Sequence, residues 1–330
     1  MNDNLRDIGE RALLEMFEKL VDLGDLPFND DAVAYSISKD KSLVINIDTF
    51  VRKTDAPPNM TPFYMGWKAV VMAISDLAAK GVQPQVIVAS GAFPEDFSVK
   101  DTIAIVEGIK YTANMYNAKF LGGDTNTADD VIISIVALGL CKTKNLIKRS
   151  GAKNGDIICT TGFFGRTGAG FKVFLEKFSA NKVQKENFHQ AIYSPIARLE
   201  EGLFLSQYGK IHSCIDSSDG LAWSLFELIR NKNDLGIILE NIPIDQDVVE
   251  FAEKHKLSVE ELALYAGEEF ELVFTVKEDL FQELQKKMLL SQMRCLKLGK
   301  MTCKNPGKIQ LIKDSESINI SPKGWEHFSK

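Results

Sequence analysis

The chain has 330 residues, 45% of them hydrophobic and 25% charged, with a formal net charge of -6. That length exceeds one small core and predicts two domains, and the acidic balance excludes a broad nucleic-acid binder, which needs a basic face. The five cysteines (Cys141, Cys159, Cys214, Cys295, Cys303) form no C-x-x-C pair, and His189, His212, His255 and His327 lack metal-ligand spacing. Neither a disulfide framework nor a structural zinc site is expected, and a reducing cytosol fits.

The first residues, MNDNLRDIGERALLEMF, read as an amphipathic helix rather than a signal peptide, with apolar spacing over 5–23. AVAYSIS and SLVINID read as a hairpin around Lys39-Asp40-Lys41. After the proline-stiffened RKTDAPPNMTP comes an apolar helix from Tyr64 to Lys80, stopped by Gly81. A strand (PQVIVASGAF), an amphipathic helix (VKDTIAIVEGIKYTANMY) and two further strands (AKFLGG, VIISIVALGLC) follow. The run VIISIVALGL is too short to cross a membrane, so a cytoplasmic protein without a membrane partner is expected. The basic, glycine-punctuated segment 142–155 marks the boundary, giving domains 1–145 and 146–330. Beyond it, DIICTTG is a strand, GFFGRTGAG a glycine-rich loop and GFKVFLEKF a helix. Helices near 196–208 and 221–231 flank the strand HSCID, and ELVFTV precedes the helix LFQELQKKML. This alternation predicts mixed α/β or α+β layers in both halves.

The chemistry lies in placed acids. Neither G-x-x-x-x-G-K-[ST] nor G-x-G-x-x-G occurs. The loop GFFGRTGAG offers helix-start N–H groups to an anion, or else simply allows close helix–strand packing. NIDTF partly matches a phosphatase signature, but Asn46 replaces the nucleophilic carboxylate, leaving Asp48 as a metal ligand or a solvent-facing acid. Asp76 interrupts the apolar run AISDLAAKG. It is either a ligand on a rigid helix, a charge at an exposed helix edge, or one paired with Lys80 at i+4. GGDTN sets two glycines before an acid at a strand end, allowing close ligand approach. In IDSSDGL, N-capping by Ser217, Ser218 or Asp219 accounts for one acid and leaves Asp216 unexplained. Together these acids can converge on Mg²⁺, which prefers oxygen ligands and bridges to phosphates.

The order of NDDAV, NIDTFV, SDLAAKGVQP, GGDTN, RSGAKNGD, TGFFGRTGAG, IDSSDG, GEEFELVF and KGWEHF resembles the thiamine-monophosphate kinase family nearly end to end. That family belongs to the ATP-binding superfamily of aminoimidazole ribonucleotide synthetase, selenophosphate synthetase and HypE. The resemblance implies an α/β (α+β) fold of two domains. An N-terminal mixed sheet with helices would pair with a second subunit in a homodimer, and a C-terminal α/β sandwich would complete the site. It implies ATP-dependent phosphorylation of thiamine monophosphate to thiamine diphosphate, with ATP as co-substrate and several Mg²⁺ ions. By the same resemblance the metal ligands fall on Asp31, Asp48, Asp76, Asp124, Asp216 and Asp219. Nucleotide contacts fall on Gly123, Asp124, Arg149 and Ser218, and substrate contacts on Asp55, Glu268 and Trp325. No covalent nucleophile is implied. The chain departs from many bacterial members at Ile47 and Asp55, where a Thr and a His are common, and RKTDAPP looks archaeal. Arg166 stands where bacterial members often have Asp, facing phosphate or solvent. The rival readings are another enzyme of the superfamily, such as aminoimidazole ribonucleotide synthetase, and an inactive metal-binding scaffold. The absence of any cysteine before Cys141 disfavours selenophosphate synthetase, and the HFSK terminus disfavours HypE.

Overall fold

The structure, a computed structural model, describes residues 4–328 apart from Asn231 and Asn233. The outer ends of the two expected domains, and the end of the helix expected over 221–231, lie outside the described residues. In the first half, α1 (Leu5–Phe17) is followed by the hairpin β1 (Val33–Ser38) and β2 (Lys41–Val51). The short α2 (Arg52–Asp55) leads to α3 (Pro62–Ala79), β3 (Pro84–Phe93), α4 (Val99–Met115), β4 (Lys119–Thr127) and β5 (Ile132–Lys142). The strands form one mixed sheet in the order β1-β2-β5-β3-β4, in which only β3 and β4 run parallel.

In the second half come β6 (Ile157–Thr160), α5 (Arg166–Phe174), α6 (Lys182–Tyr193), α7 (Leu199–Tyr208), β7 (Ile211–Asp216) and α8 (Leu221–Ile229). They are followed by β8 (Gly236–Leu239), α9 (Gln246–His255), α10 (Val259–Tyr265), β9 (Leu272–Val276), α11 (Glu278–Leu290) and the strands β10 (Leu296–Thr302), β11 (Ile309–Lys313) and β12 (Glu316–Ile320). Seven strands make the second sheet, ordered β12-β11-β8-β10-β6-β9-β7. The α/β class expected from the sequence is therefore observed.

Helix α3 connects the halves. Pro62 opens it at a position that needs no N–H donor, and Gly81 ends it in the left-handed region at φ 68°. It is buried on most sides, because β2, β5 and α4 cover one side and α7 and β7 the other. One buried apolar cluster accordingly runs from Val44 and Ile135 of the first sheet through Ile74 and Leu77 to Leu205, Cys214 and Phe274. A helix wedged between two sheets can carry a polar side chain at their junction with little freedom to move.

Two sequence expectations need correcting. The first helix ends at Phe17 rather than 23. Helix α5 begins at Arg166, inside the glycine-rich run, and stops at Phe174, so RTGAG is helix rather than loop. It is tolerated there because Gly168 and Gly170 pack against α10 and α6, where a Cβ on Gly168 would stand 2.4 Å from the Leu262 carbonyl oxygen.

Candidate active site

Three acids meet where the halves join. Asp76 comes from the last turns of α3, Asp31 from the loop before β1 and Asp216 from the end of β7, and carboxylate oxygens of all three lie within 4.8 Å of one another. The neighbouring residues fix each of them. Ser75 donates its hydroxyl to Asp216 Oδ2 at 2.7 Å, and Asn46 meets Asp76 through its amide nitrogen. Lys80, fully buried, pairs with Asp30 and with Asp31 at 2.7 Å, and donates to the Cys214 carbonyl at 3.0 Å. Asp76 and Lys80, one turn apart, are thus not partners, since Lys80 is occupied by the NDDAV loop. Arg149 donates from Nε to Asp31 Oδ1 at 3.1 Å, bonds the Asn29 carbonyl, and pairs with Glu227 at 3.4 Å.

The cations are unevenly shared, and the acids titrate accordingly. Burial alone would raise the Asp31 carboxyl, but the Arg149 and Lys80 charges overcome it and hold Asp31 below the usual range. Asp76 is pushed well up, first by burial and then by the charges of Asp216, Asp31 and Asp48. Burial, reinforced by Asp31, pushes Asp216 up to about 7, against the Ser75 hydrogen bond. Asp219 is raised to about 6 by burial and the nearby Glu10. Asp48 is also raised, chiefly by burial. Like charges held this close need a proton or a cation between them. An all-oxygen donor set of this kind fits Mg²⁺ or another hard divalent ion.

Above the cluster a cavity of about 560 Å³ is lined by Asp31, Asp76, Arg149, Asp216, Ser218, Asp219, Trp223 and Glu227, with Glu10 and Arg11 of α1 on its far side. Arg11 stacks 3.4 Å over the Trp223 ring, pairs with Glu227 and lies 4.0 Å from Asp219. The sequence identified α1 only as amphipathic and gave no sign that it covers this cavity. Asp30, Lys80, Ser75, Trp223 and Glu227 were missed as well. The signal for Lys80 was its place at the end of an apolar helix, where a charge must be paired.

The remaining expected residues are more scattered. Asp48 lies on β2 and accepts the Thr49 N–H at 2.7 Å. Gly123 and Asp124 lie on the edge strand β4 and do not line the cavity. Gly123 is needed there for packing, because a Cβ would stand 1.5 Å from the Ala89 carbonyl oxygen. Asp55 ends α2, and its carboxylate accepts the Val51 N–H at 2.6 Å. Trp325 is half exposed and donates its backbone N–H to the Asp219 carbonyl at 3.0 Å. Glu268 pairs with Lys68 of α3 at 2.5 Å. Helix α8 is preceded by Gly220 at φ 106° with no side-chain cap, so capping does not account for IDSSDG. The helix-start N–H groups of Gly165 and Thr167 bond Glu269, and Arg166 pairs with Asp245 and Asp247. The anion at the glycine-rich run is thus the protein's own carboxylate.

A carboxylate cluster at the junction of two α/β layers, beneath a cavity of about 560 Å³, accompanies a fold of the AIR synthase-like kind. The family model "AIR synthase related protein, N-terminal domain" matches residues 29–141. The chain belongs to the thiamine-monophosphate kinase family. It is 35% identical to the thiamine-monophosphate kinase of Pyrococcus abyssi, over 87% of this chain and 86% of that one. It is 29% identical to that of Bacillus subtilis, over 92% and 94% of the two chains. Among solved structures, AaThiL complexed with AMPPCP and TMP superposes with a TM-score of 0.86 over 99% of both chains, at 22% identity, a likeness of fold.

Proposed function

We propose that this protein phosphorylates thiamine monophosphate to thiamine diphosphate, with ATP as phosphoryl donor and Mg²⁺ at the carboxylate cluster. The observation that carries the reading is the Asp31–Asp76–Asp216 cluster at the cavity floor, too crowded with negative charge to stay uncompensated. Two phosphates must approach in line, and their repulsion is the main obstacle. Mg²⁺ bound there would neutralise the phosphate oxygens and orient them. Asp31, Asp76 and Asp216 would hold it, with Asp48, Asp124 and Asp219 as further ligands around the phosphates. Ser75, Asn46, Lys80 and Arg149 fix the carboxylates before any ligand arrives, which lowers the reorganisation cost of binding. The attacking phosphate oxygen is already ionised near neutral pH, so no strong general base is required.

In this reading Arg149 and Ser218 border the nucleotide inside the cavity, Gly123 and Asp124, on β4 outside its lining, would meet only phosphates that extend beyond it, and Asp55, Glu268 and Trp325 border the thiamine end, with Trp325 stacking on a ring. The chain divides functionally at 145/146, so that the cavity draws on both domains. The first sheet presents an open apolar face, which supports a homodimer. No described helix is long and apolar enough to cross a membrane, and a biosynthetic kinase fits the cytoplasm.

The test is coupled ADP release with thiamine monophosphate, thiamine and aminoimidazole precursors side by side, with and without Mg²⁺. Turnover is expected with the monophosphate alone, and only with Mg²⁺. Asp76→Asn should lower kcat by about 100-fold or more while leaving the melting temperature of the fold in place. Phosphorylation of thiamine but not of its monophosphate would overturn the reading.

A further inference from the structure

We propose that Lys68 is a positioning residue that holds Glu268 in place for the organic, ring-bearing end of the substrate. This rests on the kinase reading above and adds to it the residue that sets how that end is recognised. Lys68 lies in α3, and only 1% of its surface is exposed. A buried ammonium is tolerated only when paired. Lys68 Nζ meets Glu268 Oε1 at 2.5 Å and donates to the Asp55 carbonyl oxygen at 2.7 Å. One cation therefore ties the RKTDAPP segment of the first half to the GEEFEL loop of the second.

The loop is shaped to deliver that side chain. Glu268 adopts a left-handed backbone, φ 68°, a region that favours glycine and costs a residue with a Cβ some strain. Its N–H donates to the Ser218 carbonyl at 2.6 Å, and the N–H of Phe270 donates to Ser217 at 2.9 Å. Gly267 permits this contact, since a Cβ there would stand 2.5 Å from the Ser218 carbonyl oxygen. Strained backbone, close packing and a buried lysine all act on one carboxylate.

That carboxylate is half used. Oε1 is taken by Lys68, whereas Oε2 is buried and has no hydrogen-bond partner. A buried acceptor left in this state costs stability unless a ligand completes it. Glu268 lines a cavity of about 140 Å³ together with Phe163, Arg166, Arg198, Glu269 and Arg294. The chemistry it suits is a planar heterocycle carrying an N–H donor, such as an aminopyrimidine. The ion pair with Lys68 keeps the carboxylate from rotating away when that donor is absent.

The experiment measures KM for thiamine monophosphate and for ATP separately in wild type, Lys68→Met, Lys68→Arg, Glu268→Gln and the Lys68→Met/Glu268→Gln double variant. Lys68→Met is expected to raise KM for thiamine monophosphate about tenfold or more and leave KM for ATP within twofold. Lys68→Arg should recover most of the loss, and the double variant should be no worse than the weaker single one. An unchanged KM for thiamine monophosphate, equal rises in both KM values, or additive effects in the double variant would overturn the role of Lys68. Loss of all activity in Lys68→Met with a collapsed melting transition, unrescued by Lys68→Arg, would reduce Lys68 to a structural residue and also overturn it. A wild-type protein that does not phosphorylate thiamine monophosphate would overturn the kinase reading itself.

Discussion

Glu269 spends its charge inside the protein. One carboxylate oxygen accepts the Gly165 N–H at 2.7 Å, the Thr167 N–H at 3.3 Å and the Thr167 hydroxyl at 2.9 Å, closing the positive end of α5. Burial nevertheless dominates and raises the group to about 7. The folded protein therefore binds a proton more tightly than the unfolded chain. The resulting penalty is absent below the ordinary glutamate range, grows between about pH 4.5 and 7 and is full above it. Glu269→Gln keeps an oxygen for the three donors and loses the penalty. It should be more stable than wild type at pH 8 by on the order of 1–2 kcal/mol, since a partly solvated carboxyl feels less than the full shift. The difference should vanish below pH 4.5. Urea melts at pH 5 and 8 check this, and a wild type equally stable relative to the variant at both would refute it. Asp76 and Asp216 were legible in the sequence because a charge in an apolar run, or at a strand end, needs a reason, whereas Asp31 was reached through the family motif order. Lys68 and Glu269 were not legible in these roles, because their partners lie far along the chain.

Helices α3 and α4 owe their contact to two glycines. A Cβ on Gly66 would stand 2.1 Å from the Ile105 carbonyl oxygen, and one on Gly108 would stand 2.0 Å from that of Phe63. Backbone on backbone cannot give way as a side chain can. The aromatic residues Phe63, Trp67 and Tyr111 fill the flank of the crossing, with Trp67 and Tyr111 stacked 5.7 Å apart. Gly108→Ala would gain about 1 kcal/mol of helix propensity but force the helices apart. The net expected loss is about 1–3 kcal/mol by chemical denaturation. A variant as stable as wild type would show that the close approach is dispensable. Because α3 carries Asp76, the same variant should also lower kcat. Helix α3 itself was legible from its apolar run and its Gly81 stop. Helix α5 was misplaced because its glycines read as loop, and only packing against α6 and α10 explains them.

On the scale of the whole molecule, the first sheet has one face covered by α3 and α4 and one left open. Tyr35, Ile47, Leu121 and Leu140 are 68%, 66%, 67% and 43% exposed on that open face. The register puts Tyr35, Ile47 and Leu140 on one face, with Tyr35 opposite Leu43, Leu43 opposite Leu140 and Ile47 opposite Val136. A contiguous apolar sheet face of this kind fits a second copy of the chain. Ile47→Lys should convert the proposed dimer into a monomer in sedimentation velocity. A variant that sediments as the wild type does would refute the assignment of this face.

The sequence by itself determined the alternation of strands and helices, the oxygen-donor chemistry and the family motif order, because periodicity and residue type are local properties. Only the tertiary structure decided which acids meet. Asp31, Asp76 and Asp216 come from three distant segments joined by one helix wedged between two sheets. It also decided which cations serve them, because Lys80 and Arg149 pair with the NDDAV loop rather than with their own neighbours. Charge partnership is a property of space, and chain spacing does not encode it.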